Sequence, residues 1–232
     1  MAKRPIFIPF TEGCRLVREV TVEFGWNPGY APVQKKKNIS ALHEEAAMKG
    51  YAPLLEVSTK SDDEIGRRLS AFNMTVELDD GSRIPLECAF QGSKVFEKGG
   101  AYTDLYQRTG REAKTDDRLR SSGGVTGFRF ERIEFPSEPK TAFYDWLYVR
   151  SLASLEEDVL GELDRFAGFT DIEFNPESSI NCQARSCALF VALCRKGLLE
   201  AAITSPARFI ETVSSDSFAQ SYSDDVRQGR LF

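Results

Sequence analysis

The alternation of apolar and polar residues predicts β-strands in the first part of the chain. Residues 6–10 form an apolar run, and residues 17–24 (VREVTVEF) alternate apolar with charged side chains. Such alternation is typical of strands with one solvated face. A short apolar run at 54–57 predicts a third, buried strand, and GFRFERIEF at 127–135 alternates as a further strand would. We therefore expect a small N-terminal sheet.

Start and stop signals predict helices between and after these strands. A basic loop at 34–37 runs into a short helix that ends at Gly50, and Ser61 with Glu64 predicts a capping box at the start of a second helix. Pro85 predicts the start of a third helix, which spans about 86–98 before a glycine pair. Three more helices are predicted at 137–152, 155–168 and 182–197.

Turn residues predict the remaining connections. The sequence DDGS between residues 73–78 and 83–84 indicates a hairpin. Residues 103–124 are polar and basic and end in SSGG, which predicts a mobile loop, whereas 169–179 is expected to be a loop or short strand.

These elements predict an α+β fold that is rich in helices. The 232 residues fit one large domain, and no internal repeat or linker divides the chain. We expect a single domain over 1–232 with a core at about 5–212 and a mobile tail at 214–232.

Charge and cysteine usage exclude several classes of protein. The formal net charge of −5 excludes a global positive field for DNA or anionic lipid, so any nucleic-acid contact must be local, for example through the basic residues of 108–120. No apolar run is long enough to span a bilayer, so we expect a cytoplasmic protein without membrane contact. Five cysteines without a CxxC pair and a lone His43 predict reduced thiols, no metal and no cofactor.

The predicted helix after Pro85 carries the most informative polar residues. Glu87, Gln91 and Lys94 fall on one narrow stripe of an otherwise apolar helix. Groups that point inward from a buried helix need partners, so they would suit a polar ligand in a cavity. The alternative is a solvated strip with a Glu/Lys pair.

Two further segments offer groups for phosphate chemistry. Lys35 begins a dense positive run in which a crowded lysine can become a nucleophile, although most such runs are solvated loops. Ser58, Lys60 and Ser61 follow a strand and open a helix, where hydroxyls and free amides suit phosphate oxygens. No GxGxxG or P-loop motif is present.

A second polar cluster lies before the last apolar helix. Phe169 and Asp171 precede Asn181 and Arg185. The cluster could bind hydroxyls and phosphates, or it could be a capped turn that leads into a core helix. The aromatic residues of 144–148 are more typical of a core than of a stacking platform.

Two motifs resemble the NADAR family, whose members share the YbiA-like fold. LSAFN at 69–73 and PLECAFQGSKVF at 85–96 are similar to its signature, as is FTD at 169–171. QKKKNISALH, LEVSTKS, AFYDWLY and DIEFNPESSINCQARS resemble the NADAR antitoxins of DarT-type toxin systems. Phe169 replaces the usual tryptophan of that family, and the segment 103–124 has no counterpart in its minimal members. The matched positions are Ser70, Phe72, Glu87, Phe90, Gln91, Lys94, Phe96, Phe169 and Asp171, with Trp146 or Tyr144 at the position of a family tryptophan.

The resemblance implies a function and a set of roles. It implies an N-glycosidase that removes ADP-ribose from guanine bases of DNA, so the expected partners are ADP-ribosylated DNA, ADP-ribose and a DarT-type toxin. The alternatives are hydrolysis of riboflavin-pathway N-glycosides and a non-catalytic module that binds ADP-ribose or the toxin. The implied catalytic residues are Glu87 and Lys35, and the implied substrate-binding residues are Ser58, Lys60, Ser61, Ser70, Gln91, Lys94, Trp146, Phe169, Asp171, Asn181 and Arg185.

Overall fold

A computed structural model describes residues 1–155, 161–177 and 179–213 of the chain. The predicted helix over 155–168 crosses the segment 156–160, which lies outside the described residues. The predicted mobile tail at 214–232 also lies outside them. The described part mixes helices with three small sheets, which confirms the predicted α+β class.

The N-terminal sheet has the strand order β2-β1-β10-β3. Strand β1 is antiparallel to β2 and β10, whereas β10 is parallel to β3. The predicted strand over 6–10 is too short, because Ala2 already pairs with Phe24 at the start of the β1–β2 ladder. The four strands are β1 (Ala2–Pro9), β2 (Val17–Phe24), β3 (Leu54–Glu56) and β10 (Gly168–Thr170).

Alternation along β1 divides this sheet between two apolar layers. Ile6 packs under helix α1 (Pro32–Met48), where it meets Ile39 and Leu42, while Phe7 belongs to the main core on the opposite face. Helix α1 begins with Pro32 in its first turn, where a missing N–H is tolerated. The predicted basic loop at 34–37 is therefore wrong, and these lysines lie on the helix.

A hairpin and a second four-stranded sheet follow. The predicted hairpin is confirmed, and its turn contains Gly81 at φ 81. The predicted single strand over 127–135 is instead two strands, because the chain turns at Glu131, which has φ 53. The second sheet has the order β7-β6-β8-β9. The strands are β4 (Thr75–Glu77), β5 (Arg83–Pro85), β6 (Lys94–Phe96), β7 (Gly99–Gly100), β8 (Val125–Phe130) and β9 (Ile133–Pro136).

The helix after Pro85 is shorter than predicted. Helix α3 (Leu86–Gly92) ends before Lys94, which pairs with Phe128 as the first residue of β6. At Gly92 a Cβ atom would lie 2.6 Å from the ring of Tyr106, so the close approach of this ring requires glycine. Long-range pairing has replaced the helix that local pattern predicts over 86–98.

The predicted capping box at Ser61 is also wrong. Helix α2 (Glu64–Arg68) starts after Asp63, and no side chain caps it. Ser61 Oγ instead accepts a hydrogen bond from the backbone N–H of Asp63 at 3.2 Å. The hydroxyl stabilises the turn before the helix rather than the helix itself.

The segment predicted as a mobile loop, 103–124, consists largely of short helices. A 3₁₀ turn (Thr103–Gln107) leads to α4 (Gly110–Thr115) and α5 (Arg118–Ser121). Thr109 and Glu112 form a reciprocal capping box at the start of α4, and Arg118 bonds to two aspartates. These contacts fix a polar segment that has little apolar pattern.

Two helices form the centre of the main core. Both are buried along most of their length, as their apolar sequences predict. Between them Arg185 Nη1 lies 2.5 Å from Asp145 Oδ2, and Ser186 Oγ donates to Asp145 Oδ1 at 2.6 Å. No helix in 1–155, 161–177 or 179–213 combines the length and apolar character that a bilayer crossing needs. The remaining helices are α6 (Ala142–Ala153), α7 (Gln183–Arg195), α8 (Leu199–Ile203) and α9 (Pro206–Thr212).

Candidate functional site

A cleft of about 320 Å³ lies where α3, the segment after β10 and the start of α7 meet. Its wall joins residues from two halves of the chain that are about one hundred positions apart. A hydrogen bond between backbone and side chain connects the two halves, because the Ala71 N–H donates to Gln183 Oε1 at 2.8 Å. The lining residues are Ala71, Phe72, Glu87, Phe90, Gln91, Lys114, Tyr144, Asp171, Glu173, Phe174, Ser179, Ile180, Asn181 and Gln183.

A chain of hydrogen bonds joins the three polar residues of the α3 region. Gln91 Nε2 donates to Glu87 Oε1 at 2.8 Å, and Lys94 Nζ donates to Gln91 Oε1 at 2.8 Å. Glu87 is 6% exposed and lines the cleft with Gln91, whereas Lys94 contacts Gln91 without being one of the lining residues, so the chain is buried and is not a solvated strip. The structure brings these residues together as the sequence predicts, although Lys94 reaches the chain from a strand.

Lys94 lies in an environment that disfavours its charge. Burial lowers the pKa of its ammonium group to about 8, Glu87 opposes the shift, and Lys114 adds to it. Its Nζ lies 4.6 Å from the centroid of the Phe90 ring. Both the ammonium and the free amine are therefore accessible near neutral pH.

Asp171 faces the same cleft immediately after β10. One of its oxygens accepts a hydrogen bond from the backbone N–H of Glu173 at 3.0 Å. Burial, and then the charge of nearby Glu56, raise the pKa of Asp171 to about 8. The carboxyl group is therefore largely protonated at neutral pH and can donate a proton.

Glu56, which sequence analysis did not select, supports Asp171 from behind the cleft. It is 2% exposed and accepts hydrogen bonds from Ser58 Oγ at 2.6 Å, Thr170 Oγ1 at 2.7 Å and the Ile172 N–H at 2.9 Å. Burial raises the pKa of Glu56, and these bonds oppose the shift. Because Glu56 bonds to Thr170 and Ile172, the residues on either side of Asp171, it fixes the backbone position from which the Asp171 side chain extends.

His43 completes this buried network. Its Nε2 lies 2.8 Å from Thr170 Oγ1, and burial lowers the pKa of the imidazole to about 4. Since the Thr170 hydroxyl donates to Glu56, the His43 Nε2 must carry the proton in this contact. The lone histidine therefore acts as a neutral donor in the core.

The predicted phosphate-binding residues lie elsewhere. Ser58 is buried and donates to Glu56, and Ser61 is buried against Gly66, where a Cβ atom would lie 2.3 Å from its Oγ. The Lys60 backbone N–H bonds to Ser58 Oγ at 3.2 Å. None of the three is among the described residues that line the cleft. The Ser58 hydroxyl belongs to the Glu56 network, and the Ser61 hydroxyl stabilises the turn before α2.

Four more predicted binding residues are packed in the core. Trp146 is 1% exposed among phenylalanines, and Phe169 is fully buried in the sheet opposite Phe7. Arg185 is paired with Asp145, and Ser70 is buried within the turn that precedes the hairpin. None of these four residues is among the described residues that line the cleft, and the packing of Trp146 and Phe169 in the core does not favour the predicted contact of either ring with substrate.

Lys35 does not line the cleft but contacts Glu173, a residue that does. Its Nζ lies 3.2 Å from Glu173 Oε1. The Nζ also lies 6.0 Å from the centroid of the Trp26 ring. Lys36 is at the surface, where it pairs with Asp62. The lysine run thus divides between the cleft margin and solvent.

The cleft also contains Asn181, Tyr144, Phe72 and Lys114. Asn181, a predicted binding residue, has a buried Oδ1 with no hydrogen-bond partner among the described residues. Tyr144, rather than Trp146, lines the cleft, and so do Phe72 and Lys114. Phe72 occurs in the LSAFN motif and Lys114 in the basic segment, but neither pattern shows which way a side chain points. Within the described ranges, no group of His, Cys, Asp and Glu is arranged to hold a metal ion.

Comparison with known proteins gives one family. A family model described as DarT1-associated NADAR antitoxin matches residues 2–223. Among curated proteins, no significant match is found.

Proposed function

The chain belongs to the family of DarT1-associated NADAR antitoxins, and on this premise we propose that it is an N-glycosidase that removes ADP-ribose from guanine bases of DNA. The bond to be broken joins the guanine amino nitrogen to C1 of the distal ribose. Removal would reverse the modification made by a DarT-type toxin. The observation that supports this proposal best is a single cleft lined by Glu87, Gln91 and Asp171, with Lys94 hydrogen-bonded to Gln91.

Glu87 suits the charge that develops during this reaction. Cleavage of an N-glycosidic bond passes through a transition state with positive charge on C1 and the ring oxygen. A carboxylate that is largely removed from water stabilises this charge more strongly than an exposed one. Gln91 donates to one oxygen of Glu87, and within the described part of the chain no hydrogen bond is found to the other oxygen, which could therefore contact the substrate or water.

Asp171 suits the leaving group. The guanine amino nitrogen departs more easily when it receives a proton, and a carboxyl group with a pKa near the working pH is an effective donor. Burial and the charge of Glu56 give Asp171 this property. Glu87 and Asp171 would thus act as a charged and a protonated carboxyl group in one cleft.

The group that attacks C1 is water or a lysine amine. Neither Lys94 nor Lys35 lines the cleft, and each contacts a residue that does, Gln91 and Glu173 respectively; for the lysine route we propose Lys94. Burial gives Lys94 an accessible amine form, whereas the Lys35 ammonium is held by Glu173. In the covalent route the neutral amine forms a bond to C1 as the C1–N bond to guanine breaks, and the guanine leaves with a proton from Asp171. The resulting glycosylamine loses the extra proton on its nitrogen and opens its sugar ring to an imine, and water then hydrolyses the imine, which releases the sugar and restores the lysine.

Borohydride added during turnover is expected to reduce the resulting imine and leave a sugar adduct on Lys94. Peptide mass spectrometry would locate the adduct, and a Lys35→Arg variant should give the same product. Turnover with no adduct on either lysine would contradict the covalent route and favour water.

The rate should depend on pH in two directions. Protonated Asp171 is lost as the pH rises through about 8, so kcat/KM should fall on the alkaline side. The amine form of Lys94 is gained as the pH rises through about 8, so the rate should rise on the acidic side. A bell-shaped profile is expected, and Asp171→Asn should lower the rate and remove the alkaline limb. A flat wild-type profile would contradict these roles.

The proposed activity is tested with an oligonucleotide that carries ADP-ribose on guanine. A catalyst should produce unmodified DNA and free ADP-ribose over many turnovers. Binding without release would favour a non-catalytic module, and release from small riboflavin-type N-glycosides alone would favour the other enzymatic alternative.

A further inference from the structure

Phe72 is an exposed aromatic residue at the edge of the cleft. Six large apolar side chains among the described residues are exposed, namely Met1, Tyr30, Val33, Met48, Phe72 and Val125, and of these only Phe72 lines the cleft. Its side chain is 44% exposed, whereas the other phenylalanine rings of the cleft, Phe90 and Phe174, are buried. An exposed ring beside a polar cleft gains contact when a planar ligand covers it.

The backbone around Phe72 is fixed relative to the proposed catalytic residues. The Ala71 N–H donates to Gln183 Oε1 at 2.8 Å, and the Ala71 carbonyl accepts from the Glu87 N–H at 3.3 Å. On the other side, the Asn73 N–H donates to the Ser70 carbonyl at 2.8 Å. Phe72 is therefore presented from a bonded turn and not from a flexible tip.

Phe72 is also close to Glu87 itself. Helix α4 approaches both through Gly110, where a Cβ atom would lie 3.0 Å from Phe72 Cδ1 and 3.3 Å from Glu87 Cβ. A planar group attached to a sugar carbon beside Glu87 would thus reach the Phe72 ring without further movement of the chain.

Lys114 adds a positive charge to this edge. It belongs to α4, it is exposed, and its Nζ lies 5.6 Å from the centroid of the Phe72 ring. Of the cations on α4 and α5, Lys114 is the one among the cleft-lining residues, whereas Arg118 is held by Asp104 and Asp116. An aromatic ring with an adjacent lysine suits a base and its phosphate in a nucleic-acid strand.

We propose that Phe72 and Lys114 form a nucleotide platform, on which Phe72 stacks against the guanine base of the modified strand and Lys114 contacts a neighbouring phosphate. This assignment rests on the proposed glycosidase activity and specifies how its nucleic-acid half is recognised. The base must leave its own stack to reach the cleft, and an aromatic ring replaces part of the lost stacking.

The test compares Phe72→Ala with Phe72→Tyr on the guanine-modified oligonucleotide. Phe72→Ala should lower kcat/KM by about tenfold or more, because loss of one stacking ring has an effect of this size, while Phe72→Tyr should stay near wild type. The affinity of Phe72→Ala for free ADP-ribose, which lacks the guanine, should be unchanged. Tyr30→Ala, which removes a 97% exposed ring outside the cleft, is the matched control.

Lys114→Gln tests the phosphate contact separately. For this variant the slope of log kcat/KM against log salt concentration should become less steep by the amount expected for about one phosphate contact. An unchanged salt slope would overturn the role of Lys114. Equal losses of ADP-ribose affinity and oligonucleotide turnover in Phe72→Ala would overturn the assignment to guanine and favour the adenine of ADP-ribose. Normal turnover in Phe72→Ala would overturn the platform itself.

A failure of the platform can be distinguished from a failure of the proposed activity. If the wild-type protein releases no ADP-ribose, the hydrolase assignment fails, and binding of a fluorescent guanine-containing single strand still compares wild type with Phe72→Ala. Weaker binding by Phe72→Ala supports the platform, and equal binding overturns it. Circular dichroism of each variant excludes unfolding as the cause.

Discussion

Replacing Glu87 by glutamine is expected to slow the release of ADP-ribose by about 100-fold or more while the affinity for ADP-ribose largely survives. The amide keeps the shape of the side chain and can still accept the hydrogen bond from Gln91 Nε2. It removes the negative charge that would stabilise the sugar cation. Single-turnover release from modified DNA and equilibrium binding of ADP-ribose measure the two quantities.

A matched control for this variant is Glu77→Gln. Glu77 lies on the hairpin, where it pairs with Arg83 at 3.3 Å and is largely exposed. Its replacement should leave both quantities unchanged. Near-normal turnover of Glu87→Gln would end its catalytic assignment, and simultaneous loss of folding and binding would indicate that Glu87 is a structural partner of Lys94.

Replacing Asp145 by alanine is expected to lower the free energy of unfolding by about 3–5 kcal/mol. The change removes the Asp145 carboxylate from its ion pair with the Arg185 guanidinium, which is 2% exposed and lies between α6 and α7. It also removes the closer of two acceptors of the Ser186 hydroxyl, which leaves the Cys182 carbonyl at 3.3 Å. Urea unfolding followed by tryptophan fluorescence measures the loss, because Trp146 lies on the same helix in the core.

Two comparisons identify the origin of that loss. The double variant Asp145→Leu/Arg185→Met removes both charges and should be more stable than Asp145→Ala alone. Glu77→Ala breaks the exposed pair with Arg83 and should cost less than about 1 kcal/mol. A similarly small loss for Asp145→Ala would show that the guanidinium finds water or another partner.

The sequence predicts the elements whose pattern is local. Helices α6 and α7 are apolar on almost every face, and β2 alternates cleanly, so each appears at its expected place. The helix over 86–98 was predicted too long because the strand that pairs with Lys94 begins about thirty residues later. The residues next to Lys94 in the sequence give no indication of this strand pairing.

The candidate site was predictable only in part for a related reason. Glu87, Gln91 and Asp171 follow from spacing and family resemblance, and all three line the cleft. Trp146, Phe169 and Arg185 have side chains that suit ligands equally well, yet they fill the core. The type of a residue does not show whether its side chain points into the core or into the cleft. That orientation depends on contacts such as the one between Arg185 and Asp145.

The approach of α4 through Gly110 has a consequence for how substrate range can change. A residue without a side chain sets the distance between this helix and the pair Phe72 and Glu87, whereas Arg111 on the same helix is exposed and is not among the cleft-lining residues. Mutations on the outer surface of α4 can therefore adapt it to a different nucleic acid without changing the distance between Gly110 and Glu87. The residues that recognise the nucleic acid and the residues that cleave the bond can thus change at different rates in evolution.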